Sequence, residues 1–203
     1  MEVLVDTRIF RWVNQLAVST PALHASAAWY AVYGIGLFAL VLLVTLWWAR
    51  AGSPRALASA LWAGVGTIVV VGLNQIVVAG VHRLRPYWAL SHVEVLVART
   101  HDFSFPSDHA VTAGAVAAGV WLVARRMGSL PLRRLALVTI LAALLLAADR
   151  IYVGVHYPGD VVAGLAEGAL LMVTGEWLSR RPLEDLVTNL RRSRLRVLVQ
   201  KAS

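Results

Sequence analysis

The stretch AAWYAVYGIGLFALVLLVTLWW, from Ala27 to Trp48, carries no charged side chain. It is longer than the roughly 20 residues that an apolar helix needs to cross a bilayer. A second uncharged run extends from Ala56 to Val81. Overall, 59% of the residues are hydrophobic, against about 45–50% in soluble domains. These features predict an all-α membrane protein.

Three further apolar runs follow: Ala110 to Ala124, Leu135 to Ala148 and Val161 to Leu178. Counted between charges, the second covers only about 21 Å of a hydrocarbon core about 30 Å thick. We therefore expect the helices to continue past their flanking polar residues, so that His109 and Arg150 lie slightly below the membrane surface. The predicted architecture is a single domain, a polytopic bundle of five transmembrane helices over residues 27–178.

Both ends of the chain are predicted to be amphipathic. In residues 1–24, apolar side chains recur at helical spacing: Ile9, Trp12, Val13 and Leu16. Charges at Asp6, Arg8 and Arg11 oppose a membrane crossing, although a sixth span stays open as an alternative. Residues 180–203 form a basic tail, in which Pro182 is placed to start a second amphipathic helix that lies on anionic lipid.

Arginine placement predicts the orientation of the bundle. Most basic residues fall in connections and a tail that would share one side: Arg50, Arg55, Arg125, Arg126, Arg133, Arg134, Arg180, Arg181, Arg191, Arg192, Arg194, Arg196 and Lys201. That side should be the cytoplasm of a bacterial cell, with the C-terminus there. Loops 81–109 and 149–160 then lie together on the extracytoplasmic side of the cytoplasmic membrane. The net charge of +8 thus indicates a lipid surface rather than nucleic acid as partner, and the oligomeric state is left open.

The two outer loops hold three polar islands: Arg85-Pro86, Phe105 to His109, and Arg150 with His156 and Asp160. Charged groups beside lipid cost free energy, so function explains them better than packing. Two imidazoles, two guanidiniums, a hydroxyl and a carboxylate are groups that phosphoryl transfer uses. The chain has no cysteine, which excludes a thiolate nucleophile.

His156 and Asp160 are separated by Tyr157-Pro158-Gly159, a sequence that starts a helix. A carboxylate in that first turn can accept a hydrogen bond from one imidazole nitrogen, which leaves the other as an oriented nucleophile. The alternative is a helix-capping Asp160 beside an incidental histidine.

Ser107 suits the N-cap of the following helix, whose first amides form an anion site. His109 in the first turn would lie beside a bound phosphate and protonate a leaving oxygen. Arg85 and Arg150 offer paired donors that match phosphate oxygens. As alternatives, Ser107 would only cap the helix, Arg85 would only be a topology signal, and Arg150 would only extend its charged end to the membrane surface.

The remaining titratable residues suggest weaker hypotheses. His82, His92 and His101 in the long loop fit no tight zinc-ligand spacing, so we expect neither a metal nor a cofactor.

Glu167 within the last apolar run would serve a proton path or hydrogen-bond to Asn74. Glu176 would be a boundary residue beside Arg180.

In order and spacing, the three islands resemble the motifs of the type 2 phosphatidic acid phosphatase superfamily. The family pattern is Lys, six residues, Arg-Pro; then Pro-Ser-Gly-His; then Ser-Arg, five residues, His, three residues, Asp. The resemblance implies a metal-independent lipid phosphatase that works through a phosphohistidine. It implies a nucleophile at His156, oriented by Asp160, and an acid and base at His109. The phosphate-binding positions that it implies are Arg85, Ser107 and Arg150.

Three positions depart from that pattern. Val78 replaces the lysine, so that one phosphate contact is either missing or taken over by Arg83. Asp108 replaces glycine and is expected at the phosphate site, where it would have a positional role or hold Arg83 or Arg150. Asp149 replaces serine, which removes a hydroxyl ligand. Pro-Ser-Asp-His without the lysine resembles the bacitracin-resistance branch of undecaprenyl-diphosphate phosphatases.

The resemblance therefore implies hydrolysis of a polyprenyl diphosphate to the monophosphate, which recycles a lipid carrier of the cell envelope. A phosphatase for phosphatidate or phosphatidylglycerol phosphate is the alternative among enzymes. A lipid or anion transporter would place charge at mid-membrane, whereas here charge gathers at one edge. A catalytically inactive scaffold is the remaining alternative.

Overall fold

The computed structural model describes residues 2–193, and its regular elements are helices joined by loops. In chain order they are α1 (Glu2–Ser19), α2 (His24–Ala49), α3 (Pro54–Val81), α4 (Pro86–Ala89), α5 (Asp108–Met127), α6 (Leu130–Tyr152) and α7 (Pro158–Arg192). Within this part of the chain, five helices are long and apolar enough to cross a membrane, namely α2, α3, α5, α6 and α7. The predicted all-α membrane bundle is confirmed, and α1 is not among these five candidate spans.

The short apolar runs are extended into full spans, as expected. α5 begins at Asp108 rather than Ala110, and α6 ends at Tyr152. With 23 residues, α6 is about 35 Å long. Asp149 and Arg150 near its end are buried against protein, which shields their charges from lipid.

The central helix, α5, packs against α3, α6 and α7. A Cβ on Gly168 of α7 would lie only 2.0 Å from the Val111 carbonyl oxygen of α5. A Cβ on Gly114 of α5 would lie 2.3 Å from the Leu165 carbonyl oxygen of α7. Glycine therefore lets the two backbones touch, as small residues do at membrane helix interfaces. This contact holds the start of α5 against the start of α7, where two of the polar islands lie.

The C-terminal segment is not a separate helix. α7 continues through Pro182, so the predicted helix start at this proline is wrong. Val187 is fully buried in a cluster with Ala49 and Leu57. Val187 and its neighbours Leu183 and Leu190 thus pack on the ends of α2 and α3, because burial there removes these apolar side chains from water. The rest of the predicted basic tail, residues 194–203, lies outside the described residues.

Glu176, predicted as a boundary residue near Arg180, is buried in the bundle. Its carboxylate pairs with Arg126 of α5 and accepts a hydrogen bond from Ser59 of α3 at 3.1 Å. A buried charge is tolerated only when it is paired. The pair ties α3, α5 and α7 together at the end of the bundle that carries the short connections.

Candidate active site

Segments that are far apart in sequence meet at the other end of the bundle, here called the site end, which carries loops 82–107 and 153–157. The Ser107 amide donates to the Asp160 carbonyl at 3.1 Å, which joins the start of α5 to the start of α7. Arg85 Nη1 donates to His156 Nε2 at 3.0 Å. The three polar islands are therefore brought to one place.

His156 is buried, with 2% of its side chain exposed. Its Nδ1 lies 2.9 Å from the Ser104 carbonyl oxygen and 3.6 Å from Asp160 Oδ2. A carbonyl only accepts and a guanidinium only donates hydrogen bonds. We therefore assign the ring proton to Nδ1, and Nε2 accepts from Arg85 with its lone pair.

The imidazole of His156 is neutral at physiological pH. Burial lowers its pKa to about 4, and the nearby Asp160 carboxylate, which favours the charged ring, offsets only part of this effect. Arg85 and Arg150 lower the pKa further through charge repulsion. A neutral ring with its lone pair on Nε2 is the form that a nucleophile requires.

The carboxylate of Asp160 is fully buried and accepts three hydrogen bonds. Oδ2 accepts from Ser104 Oγ at 2.5 Å and from the Tyr157 amide at 2.8 Å. Oδ1 accepts from Arg83 Nη1 at 2.7 Å. Asp160 therefore reaches His156 both directly and through Ser104. Ser104 was not predicted as a site residue, because a single serine in a loop has no spacing signal.

Arg85 is held from the loop side by Asp102. This carboxylate accepts from Arg85 Nε at 3.1 Å and from Nη2 at 2.7 Å, a bidentate arrangement. Partial burial raises the pKa of Asp102, but hydrogen bonds from Arg85 and Thr100 outweigh it and keep the pKa below its usual range. The Asp102 side chain is 52% exposed, so it lies at the water-facing rim of the site. Asp102 was likewise not predicted as a site residue.

Ser107 and Arg150 retain donors that no described group uses. Ser107 is the N-cap of α5 by backbone geometry, but its hydroxyl makes no capping hydrogen bond. The Oγ is buried and has no hydrogen-bond partner within residues 2–193. Arg150 Nη1 donates to the Ala31 carbonyl at 3.1 Å, whereas its Nε is buried without a partner in the same range. These donors suit an anion, and the simple capping hypothesis for Ser107 does not account for its hydroxyl.

His109 belongs to the same cluster. It lies in the first turn of α5 and is partly buried. Its imidazole interacts electrostatically with Arg150, His156 and Arg85. Two imidazoles from distant parts of the chain therefore lie within electrostatic range of each other at the site end.

Arg83 is placed differently from the expected phosphate contact. Its Nη1 pairs with Asp160 at 2.7 Å and its Nη2 with Asp6 of α1 at 2.5 Å. The guanidinium also stacks on the Tyr157 ring, 4.1 Å from the centroid. Arg83 therefore lies behind Asp160 and does not replace the missing lysine as a direct clamp.

Asp108 also has other partners than those expected. Its Oδ1 accepts from Asn74 Nδ2 at 2.6 Å and from Gln75 Nε2 at 2.8 Å. Both amides belong to α3, so the carboxylate joins the start of α5 to α3 rather than holding Arg83 or Arg150. The Asn74 amide is thus directed to Asp108 and not to Glu167.

Asp149 lines a cavity of about 500 Å³ between α1, α2 and α6. The other lining residues include Val13, Ala27 and Leu145, and the cavity is largely apolar. Asp149 Oδ2 is buried with no hydrogen-bond partner in the described chain. The side chain that replaces the family serine therefore borders this cavity, on the α1 and α2 side of α6.

The histidines considered as zinc ligands pack against aromatic rings. His82 contacts Phe103 edge to face, with ring centroids 4.6 Å apart. His101 stacks on Trp88 at 5.3 Å. These contacts give two of the three histidines a packing role in the outer loop.

Comparisons with known proteins agree with this geometry. Residues 59–181, which contain all three polar islands, match a family model described as PAP2 superfamily. The chain is 29% identical to undecaprenyl-diphosphatase BcrC of Bacillus subtilis (strain 168), over 97% of both chains. It is 32% identical to a decaprenylphosphoryl-5-phosphoribose phosphatase of Mycobacterium tuberculosis (strain ATCC 25618 / H37Rv), over 77% of this chain and 81% of that one.

A solved structure has the same fold. It is the crystal structure of a transmembrane PAP2 type phosphatidylglycerolphosphate phosphatase from Bacillus subtilis. The TM-score is 0.56 at 20% sequence identity, and the match covers 87% of this chain and 85% of the other. The helical bundle described above is therefore an arrangement found in a transmembrane phosphatase.

Proposed function

Because the chain belongs to the PAP2 superfamily and is a multi-pass membrane phosphatase, we propose that it hydrolyses a polyprenyl diphosphate through a phosphohistidine at His156. One observation carries the proposal: the lone pair of buried, neutral His156 accepts from Arg85 at 3.0 Å. The nucleophile and an anion-binding group thus meet at one point. Ser107 Oγ and Arg150 Nε supply further donors that have no partner within residues 2–193.

In the first step, His156 Nε2 attacks the terminal phosphorus, and Arg85 Nη1 turns from Nε2 to a phosphate oxygen. Arg85, Arg150 and Ser107 bind the equatorial oxygens, where the charge of the transition state is spread. Protonated His109 gives its proton to the bridging oxygen as the P–O bond breaks. The lipid monophosphate leaves, and the phosphoryl group stays on His156. Asp160 stabilises the positive charge that develops on the ring.

In the second step, His109 accepts a proton from water, and the resulting hydroxide oxygen attacks the phosphorus. The P–N bond breaks, its electron pair returns to His156 Nε2, and inorganic phosphate leaves. His109 regains the proton that it gave to the lipid, so protons balance over the cycle. The route uses only side chains of this chain and water, with no metal ion.

The proposed substrate class rests on the relatives. Two of them are described as acting on polyprenyl compounds, an undecaprenyl diphosphate and a decaprenylphosphoryl sugar phosphate. The solved structure with the same fold is described as a phosphatidylglycerolphosphate phosphatase, so that lipid phosphate is the second candidate. The chosen substrate is the polyprenyl diphosphate, because that match extends over almost the entire chain.

The site end is proposed to face the extracytoplasmic side, with the C-terminus in the cytoplasm. Arginines gather at the opposite end of the bundle: Arg50, Arg55, Arg125, Arg126, Arg133, Arg134, Arg180, Arg181, Arg191 and Arg192. Basic residues favour the cytoplasmic side of bacterial membrane proteins. The two polar loops at the site end would then receive lipid diphosphates from the outer leaflet.

The test compares phosphate release by purified enzyme from undecaprenyl diphosphate, phosphatidate and phosphatidylglycerol phosphate, in detergent with EDTA. We expect the highest kcat/KM for undecaprenyl diphosphate, acid-labile labelling of the protein by a substrate with radioactive terminal phosphate, and loss of both in His156→Ala. His109→Ala should lose turnover as well. Wild-type turnover in His156→Ala would refute the nucleophile, and a clear preference for a glycerolipid would refute the substrate class.

A further inference from the structure

The amphipathic helix α1 contacts the catalytic groups through a chain of charges. We propose that Asp6 is a positioning residue for the reaction, which acts on His156 through Arg83 and Asp160. The inference rests on the proposed function, since it assigns a role in orienting the proposed nucleophile. It adds α1, a helix outside the five membrane spans and outside the three polar islands, to the catalytic machinery.

The charges alternate along the contact. Asp6 Oδ2 lies 2.5 Å from Arg83 Nη2, and Arg83 Nη1 lies 2.7 Å from Asp160 Oδ1. Asp160 Oδ2 lies 3.6 Å from His156 Nδ1. A guanidinium between two carboxylates satisfies both of its terminal nitrogens in a fixed fork geometry. Moving Arg83 would therefore move the carboxylate that orients the imidazole.

A second hydrogen bond connects α1 to the same turn. The Gly159 amide donates to Asp6 Oδ1 at 2.7 Å, and Gly159 is next to Asp160 in the chain. Asp6 thus uses one carboxylate oxygen on the Arg83 side chain and the other on the backbone that carries Asp160. With an exposed side-chain fraction of 14%, Asp6 is shielded enough for these contacts to be strong.

The rest of α1 holds Asp6 in place. Phe10 is fully buried and packs against the Tyr157 ring at a centroid distance of 5.5 Å. Asn14 donates to the Glu94 carbonyl at 2.8 Å and accepts from the Glu94 amide at 3.0 Å. Asp6, Phe10 and Asn14 follow at intervals of four residues, so they share one face of the helix.

The exposed side of α1 carries large apolar side chains at Leu4, Val5, Ile9, Trp12 and Leu16, next to the exposed Arg8 and Arg11. A helix with one such face lies in the membrane interface. α1 therefore stands between lipid on one side and the Arg83–Asp160 pair on the other. This placement explains why α1, which otherwise binds to the membrane, carries an acidic side chain at Asp6.

The test is a double-mutant cycle on the lipid phosphate that the wild type hydrolyses fastest. Asp6→Asn keeps the shape of the side chain and removes its charge, and we expect kcat to fall about tenfold, as for one charge-assisted hydrogen bond, with KM unchanged. In an Arg83→Gln background the same change should have no further effect, because Asp6 acts through Arg83. Asp6→Glu should recover part of the activity.

The control is Asp185→Asn, the same chemical change at an exposed position near the far end of α7, which should leave kcat unchanged. Thermal unfolding in detergent separates positioning from folding, since a positioning residue lowers kcat in protein that is still folded. Unchanged kcat in Asp6→Asn, or additive losses in the double variant, would overturn the inference. Neither result would affect the proposed function, which His156→Ala tests by itself.

Discussion

The hydrogen bond from Ser104 to Asp160 allows a quantitative test of how the nucleophile is oriented. Ser104 Oγ and Asp160 Oδ2 are 2.5 Å apart, and both residues are fully buried. Ser104→Ala removes this donor but keeps the backbone carbonyl that accepts from His156 Nδ1. The carboxylate would then have one fewer donor to fix it beside the ring.

The expected magnitude follows from the charge of the acceptor. A hydrogen bond to a charged group contributes about 1.5–3 kcal/mol. If the whole contribution acts on the transition state, in which the imidazole of His156 becomes positive, kcat falls roughly 10- to 100-fold. KM should change little, because Ser104 lies behind the ring and binds no phosphate oxygen in the proposed mechanism.

Ser59→Ala is a matched control. Ser59 Oγ also donates to a buried carboxylate, Glu176 Oε1, at 3.1 Å, but at the end of the bundle away from the site. Both variants should lower the thermal unfolding temperature in detergent by similar amounts, and only Ser104→Ala should lose kcat in a phosphate-release assay. Equal kcat values for the two variants would show that Ser104 stabilises the fold without orienting His156.

Three further outcomes are expected. Gly168→Ala should destabilise the protein by about 1–3 kcal/mol or more, since its Cβ would lie 2.0 Å from a carbonyl oxygen of α5. Gly72→Ala, whose Cβ meets nothing within 4 Å, should raise the unfolding temperature slightly. A lower unfolding temperature for Gly72→Ala than for Gly168→Ala would contradict the packing of α5 on α7. The pKa of His156 is about 4 in the folded state and about 6.5 in the unfolded chain. Its contribution to stability is therefore complete above pH 6.5 and is lost as the pH falls through 4. Between pH 7 and pH 4.5 the unfolding temperature of the wild type should fall more than that of His156→Gln, and equal decreases would argue against a buried neutral ring. Asp102→Asn should weaken the bidentate hydrogen bonding to Arg85 and reduce kcat/KM several-fold, and this reduction should be largest at low salt. An unchanged kcat/KM at every salt concentration would show that Asp102 only stabilises the loop.

Local features of the sequence were sufficient to predict the membrane-spanning helices. The cost of leaving backbone and charge in lipid depends on the length and polarity of a run, which can be counted from Ala27–Trp48 or Ala56–Val81 without knowing any contact. The order of the polar islands was likewise enough to recognise the family, because Arg85, His109, His156 and their neighbours keep a fixed spacing.

Partners could not be obtained in this way. Arg83 and Asp6 are separated by 77 positions, as are Arg83 and Asp160, so their pairing depends on how α1 lies over the site end. The same holds for Glu176, whose half-buried partner Arg126 is 50 positions away, whereas Arg180 is the basic residue nearest to it in sequence. For Asp108 a positional role and a contact with an arginine were both open, and only the packing of α5 on α3 shows that its partners are two amides.

By itself the sequence thus determined a five-helix membrane bundle and the chemical groups at one of its ends, because hydrophobic length and motif spacing are properties of neighbouring residues. Only the tertiary structure decided which carboxylate pairs with which cationic side chain, because a buried charge pairs with the group that lies nearest to it in space. Ser104, Asp102 and Asp6 are the clearest examples. Nothing in the sequence around each of them marks it as a site residue, and its contact with the catalytic groups forms only when the helices pack around His156.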